Sequence, residues 1–186
     1  MILYIETNFL AGAAMGRDAY ADVLLRVPSP TLRLALPAVC VMEAWSVFED
    51  ERRRRNSFGN TLNSQLSQMR RDLTSVHAKA LLQNLEQALT ENLDLLGDIE
   101  RRLRTTLERL AGLQEGFPAA EIIPLSATTF IHSIPKGLTD DPTDNLILAV
   151  IQEHALQHPD EDKAFLSGNT RDFDTPEIRA LLTNLP

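Results

Sequence analysis

Four short apolar runs are spaced along this chain with helical segments between them: Ile2–Ile5, Leu34–Leu36, Glu121–Pro124 and Ala164–Leu166. Runs of this length bounded by polar or turn residues read as buried strands. Strands separated by helices cannot pair as hairpins. They need crossover connections, which produce a parallel sheet with both faces covered. The expected class is therefore α/β, in three layers (α/β/α), with a mostly parallel sheet of four or five strands.

The intervening segments carry the helical signal. Residues 9–26 are Ala-rich with apolar positions at helical spacing, interrupted by Gly16, and Pro28 and Pro30 mark a turn. Pro37 ends the second strand, and a helix is expected from Ala38 to about Phe48. From Leu62 the apolar residues fall at Leu66, Met69, Leu73, Val76 and Ala80. A second series runs Leu85, Leu89, Leu93, Leu96, Ile99, Leu103, Leu107 and Leu110. Steps of three and four mean long amphipathic helices with one buried stripe. Gly97 is the expected break, giving a hairpin or three shorter helices, and Gly112 with Gly116-Phe117-Pro118 ends the segment. A helix is expected over 126–134. Another runs from Asn145 to about Leu156, opened by Asp141-Pro142-Thr143-Asp144. A last one is capped by Thr175-Pro176-Glu177 and runs through Leu182. Residues 1–186 read as a single domain in which 49–116 is a helical insertion.

At 186 residues with 44% hydrophobic and 24% charged content, the chain suits one globular core. No apolar run approaches a membrane span, the apolar start is too short for a signal peptide, and the one cysteine, Cys40, fits a reducing compartment. The expected location is the cytoplasm. A net charge of -8 at first opposes binding to nucleic acid. Its distribution matters, however. Residues 49–116 hold 11 basic and 11 acidic residues, so the acidic excess lies in the strand-bearing parts of the chain.

The position of those acids relative to the strands is the informative pattern. Glu6 follows the first strand, and Glu43 lies in the helix after the second. Asp141 and Asp144 open a helix after the third, while Asn169 and Asp172 follow the fourth. The carboxyl ends of parallel strands share one edge, where ligands bind. Oxygen donors gathered there suit hard cations such as Mg²⁺ or Mn²⁺. Each residue also has a plainer reading: Asp141 and Asp144 cap a helix, Asp172 sits in a turn, and Glu43 is an exposed helix acid. Glu6 is the exception, since a carboxylate beside a buried strand needs a partner.

The same segments resemble the PIN-domain nuclease family. Leu3-Tyr4-Ile5-Glu6-Thr7-Asn8-Phe9-Leu10 is similar to that family's opening strand and Asp-Thr/Ser-Asn turn. Ala38-Val39-Cys40-Val41-Met42-Glu43 resembles its second motif, and Thr143-Asp144-Asn145-Leu146-Ile147-Leu148-Ala149 its third. Leu166-Ser167-Gly168-Asn169-Thr170-Arg171-Asp172-Phe173 resembles the last. The match covers about residues 1–48 and 119–186. One departure stands out: Glu6 replaces the family's first Asp, which moves the carboxylate outward by roughly 1 Å. The site is then either rearranged or weakened.

The resemblance implies a PIN-like fold and metal-assisted phosphodiester hydrolysis. Glu6, Glu43, Asp144 and Asp172 would be the catalytic carboxylates. Asp141 and Asn169 would join them as ligands of Mg²⁺ or Mn²⁺, with Thr7, Asn8 and Ser167 as positioning residues. The expected substrate is single-stranded or flexible RNA, with DNA or a structured nucleic acid left open. The alternative is a weak or inactive PIN-like module whose helical insertion binds a protein or nucleic-acid partner. An antitoxin or other protein partner and a homodimer are also left open.

Three signals are set aside. His154 and His158 share a helix face, but no third ligand is evident in the sequence, so a zinc site is not expected. Arg52-Arg53-Arg54-Arg55 follows Glu49-Asp50-Glu51 and reads as a salt-paired solvated face rather than a phosphate patch. Trp45 reads as core rather than a stacking platform.

Overall fold

The computed structural model describes residues 1–26, 31–71, 74–113, 119–134 and 137–184. Pro28, Pro30, Leu73 and Gly116-Phe117-Pro118, all used in reading the sequence, lie outside them. Strands β1 (Ile2–Ile5), β2 (Arg33–Pro37), β3 (Glu121–Ile123) and β4 (Lys163–Leu166) form one sheet in the order β3-β2-β1-β4. Every pairing is parallel, with Leu3 opposite Leu34 on one side and Ala164 on the other. The sheet has four strands.

This order explains the layering. Helices α1 (Thr7–Ala14) and α2 (Ala19–Arg26) join β1 to β2. The long pair α3 (Ala38–Met69) and α4 (Val76–Leu110) joins β2 to β3. Both connections step in the same direction across the sheet. The connection from β3 to β4, made by α5 (Ala127–Ser133) and α6 (Pro142–Gln157), jumps back past β1. Right-handed crossovers running in opposite directions put their helices on opposite faces. The packing agrees: α1 touches α3 and α4, whereas α5 packs on α6. The result is consistent with an α/β/α arrangement, in which Ile2, Ile5, Leu34, Leu36, Leu103 and Ile151 belong to one buried core.

Glycines end two helices where the sequence expects it. Gly16 (φ 66°) follows α1, with its N–H donating to Ala13 O and that of Arg17 to Gly12 O. Gly112 (φ 72°) closes α4 with the same pair of bonds, to Arg109 O and from Leu113 to Glu108 O. A left-handed residue here satisfies carbonyls that the helix leaves open.

Gly97 does not break its helix. α4 runs 35 residues through it, and α3 runs 32, and the two pack on each other as a hairpin continuous with the helix that carries Glu43. A Cβ at Gly97 would meet nothing, which shows an exposed position where glycine costs only about 1 kcal/mol. Asn92, buried in α4, clasps α3: its Nδ2 donates to Arg55 O at 3.2 Å, and its Oδ1 accepts from Arg55 at 3.3 Å. Ile99, Leu103 and Leu110 carry the returning half of α4 into the main core.

Trp45 departs from expectation. The buried stripe at the start of α3 is Cys40, Ala44, Phe48 and Glu51. Trp45 flanks it, 37% exposed, with its ring against Phe48. Two short helices complete the chain: α7 (Thr170–Phe173), which the sequence reading missed, and α8 (Pro176–Thr183). Among the described residues no helix is long and apolar enough to cross a membrane.

Candidate metal centre at the carboxyl edge of the sheet

β1 lies between β2 and β4, and the connections beside it leave in opposite directions, so the crevice past the ends of β1 and β4 is a switch point. Glu6 closes its floor. It caps α1 in extended backbone, and one carboxylate oxygen accepts from Asn8 N–H at 2.6 Å. Its other oxygen crosses to the end of β4, accepting from Gly168 N–H at 3.0 Å and Ser167 Oγ at 3.2 Å. The side chain is 1% exposed. Burial raises its pKa, the three donors pull the other way, and the charge of Glu43 raises it further.

Above that floor stand the other acids. Thr7 Oγ1 donates to Glu43, which tethers the first turn of α1 to α3. Asp144 sits in the first turn of α6, 8% exposed. Its pKa is pushed up to about 7, first by burial and then by the like charges of Asp141, Glu43, Asp172 and Glu6. Among the described residues no Lys, Arg or His forms an ion pair with Glu6, Glu43, Asp144 or Asp172. Asn169 takes up part of this charge. Its Nδ2 donates to Asp172 at 2.7 Å and to Asp144 at 3.3 Å. Its Oδ1 accepts from Asp172 N–H and caps α7, an assignment that only the oxygen can make. Asn169 therefore faces the acids with its donor side. Asp141 has the plainer role, accepting from Thr143 N–H at 2.7 Å as the cap of α6 while exposed to solvent.

The structure thus brings together Glu6, Glu43, Asp144, Asn169 and Asp172, with Asp141 close enough to act on Asp144 and with Thr7, Asn8 and Ser167 holding the first two. Asn8 acts through its backbone N–H, its side chain being exposed. Gly168 N–H and the buried Cys40 thiol beside Thr7 were not found from sequence. Backbone donors leave no residue signature, and the thiol, pushed up to about 12 by burial, is inert.

The donors fit a hard cation in chemistry. The four acids offer only carboxylate oxygens, and the like charges that act on Asp144 are what a divalent ion offsets. Among the described residues no three of these acids bring an oxygen each within 4.8 Å of the other two. Magnesium-type ions keep several waters and take only one or two carboxylates directly.

The cluster that does reach that spacing lies elsewhere: Glu121, His154 and His158. The third ligand not evident in the sequence is Glu121, brought to the two histidines by the sheet. The arginine run behaves as read, Arg52 pairing with Glu49 at 2.5 Å and Arg55 with Glu51 at 2.8 Å along α3.

Compared with protein-family models, curated proteins and solved structures, the chain finds no match in any of the three.

Proposed function

We propose that this chain is a PIN-like, divalent-metal-dependent nuclease acting on single-stranded or flexible RNA. The observation that carries this reading is the convergence of Glu6, Glu43, Asp144 and Asp172, from four chain segments, at a switch point where no ion pair forms to them among the described residues. Mg²⁺ or Mn²⁺ bound there supplies Lewis acidity toward a phosphate oxygen and an activated water. Asp144, Glu43 and Asp172 would hold it. Glu6 orders the floor, and Thr7 and Asn169 orient Glu43, Asp144 and Asp172 through the hydrogen bonds described above.

A second reading has its own observation. Both oxygens of Glu6 are occupied by Asn8, Ser167 and Gly168, so the first acid serves the scaffold and leaves a smaller ligand set. In that case the chain is a weak or inactive module that binds a partner through the hairpin. A fluorescent single-stranded RNA assay with Mn²⁺ or Mg²⁺ separates the two. Cleavage abolished by EDTA and by Asp144→Asn supports the nuclease. No cleavage of RNA or DNA, together with no Mn²⁺ binding by calorimetry, favours the partner-binding module.

A further inference from the structure

Asp144 and His154 stand at opposite ends of α6, ten residues and about 15 Å apart along its axis. The second end has a chemistry of its own. His154 is buried, with Nε2 3.0 Å from Glu121 Oε1 and Nδ1 2.9 Å from Tyr4 Oη. One helical turn later, His158 stacks beside it with ring centroids 4.3 Å apart. Donor atoms from His154, His158 and Glu121 all lie within 4.8 Å of one another. We propose that Glu121, His154 and His158 form a binding site for a borderline divalent transition cation of the Zn²⁺ class at the amino edge of the sheet.

Proton placement supports the assignment. His158 Nδ1 lies 2.9 Å from the His154 carbonyl oxygen, which only accepts, so Nδ1 carries the hydrogen. In the neutral ring Nε2 then has a bare lone pair. His154 reaches Glu121 through Nε2. With a metal on that nitrogen the ring carries its proton on Nδ1, where Tyr4 Oη accepts it. Each imidazole thereby has an oxygen partner behind it, the arrangement that fixes the tautomer and orientation of metal-bound histidines. Two imidazole nitrogens and one carboxylate oxygen suit Zn²⁺, with the fourth position left to water, whereas Mg²⁺ favours oxygen alone.

The surrounding charges are balanced. Glu121 Oε2 has Arg33 Nε at 3.6 Å, a cation that opposes a metal, and Arg33 is itself held by Glu161 at 2.8 Å. Bound metal would tie the start of β3 to the last turn of α6, and so fasten both to β1 through Tyr4.

The site is independent of the nuclease reading. The test uses the chelator-stripped full chain titrated with Co²⁺, whose visible absorption reports nitrogen and oxygen ligation of low coordination number. One equivalent is expected to produce the band, and Zn²⁺ to remove it by competition. His158→Ala and Glu121→Gln, each at a partly exposed position, are expected to lower Co²⁺ and Zn²⁺ affinity at least tenfold. Circular dichroism checks their folding. Asp144→Asn is expected to leave the band unchanged. Absence of the band in the wild-type chain overturns the proposal. So does its survival in both His158→Ala and Glu121→Gln, or its loss in Asp144→Asn.

Discussion

Glu6 and Gly168, 162 residues apart, are joined by a 3.0 Å hydrogen bond that ties the end of β1 to the end of β4. The bond uses the full reach of the Glu side chain, whose other oxygen accepts from Asn8 N–H. Glu6→Asp would draw the carboxylate back by roughly one bond length and strand buried donors on Ser167 and Gly168. The expected outcome is a loss of about 1–3 kcal/mol of stability with no gain in nuclease activity. Urea denaturation and the RNA assay, run on the same preparation, check it; an active, equally stable variant would refute this role for Glu6.

Asp144 should make the metal-free protein lose stability as pH rises. Its carboxyl binds a proton more tightly in the fold, at about 7, than in the unfolded chain, at 3.8. The folded state therefore holds more protons between those values. The contribution is fully present below about pH 4 and is lost as pH rises through 7. A separation of that size corresponds to roughly 4 kcal/mol at most. Glu6, also raised, acts in the same direction. Denaturation in EDTA from pH 5 to 8 should show a falling midpoint, flattened in Asp144→Asn. Mn²⁺ should stabilise more at pH 8 than at pH 5.

Asn169→Asp exchanges the donor between Asp144 and Asp172 for another acid. Without metal the variant should be destabilised by about 2 kcal/mol at pH 8, because two hydrogen bonds to carboxylates become repulsions. Its affinity for Mn²⁺ should rise severalfold, since the site gains an oxygen ligand and a negative charge. Urea denaturation in EDTA measures the first consequence and isothermal calorimetry the second; unchanged affinity would place Asn169 outside the ligand sphere.

Gly97→Ala tests the hairpin. The position is helical and a Cβ there contacts nothing. The substitution should raise stability by about 0.5–1 kcal/mol without affecting metal binding or cleavage. A thermal melt that shows destabilisation would mean that α4 does bend at this residue.

The strand positions, the glycine-ended helices α1 and α4 and the post-strand location of the acids were legible in the sequence. Each is written locally: apolar runs, 3.6-residue spacing, and an amide or carboxylate in the segment that follows a strand. The order β3-β2-β1-β4 decided the rest. It set β4 beside β1, so that Glu6 meets Gly168, and it brought Glu121 against His154 and His158. Periodicity specifies which face of an element is buried but not which distant element covers it. For that reason Trp45 fell beside the buried stripe, and Asn169 could be placed near the acids without showing which end of its amide faced them. Those choices follow from side-chain partners that only the packed sheet brings within hydrogen-bonding distance.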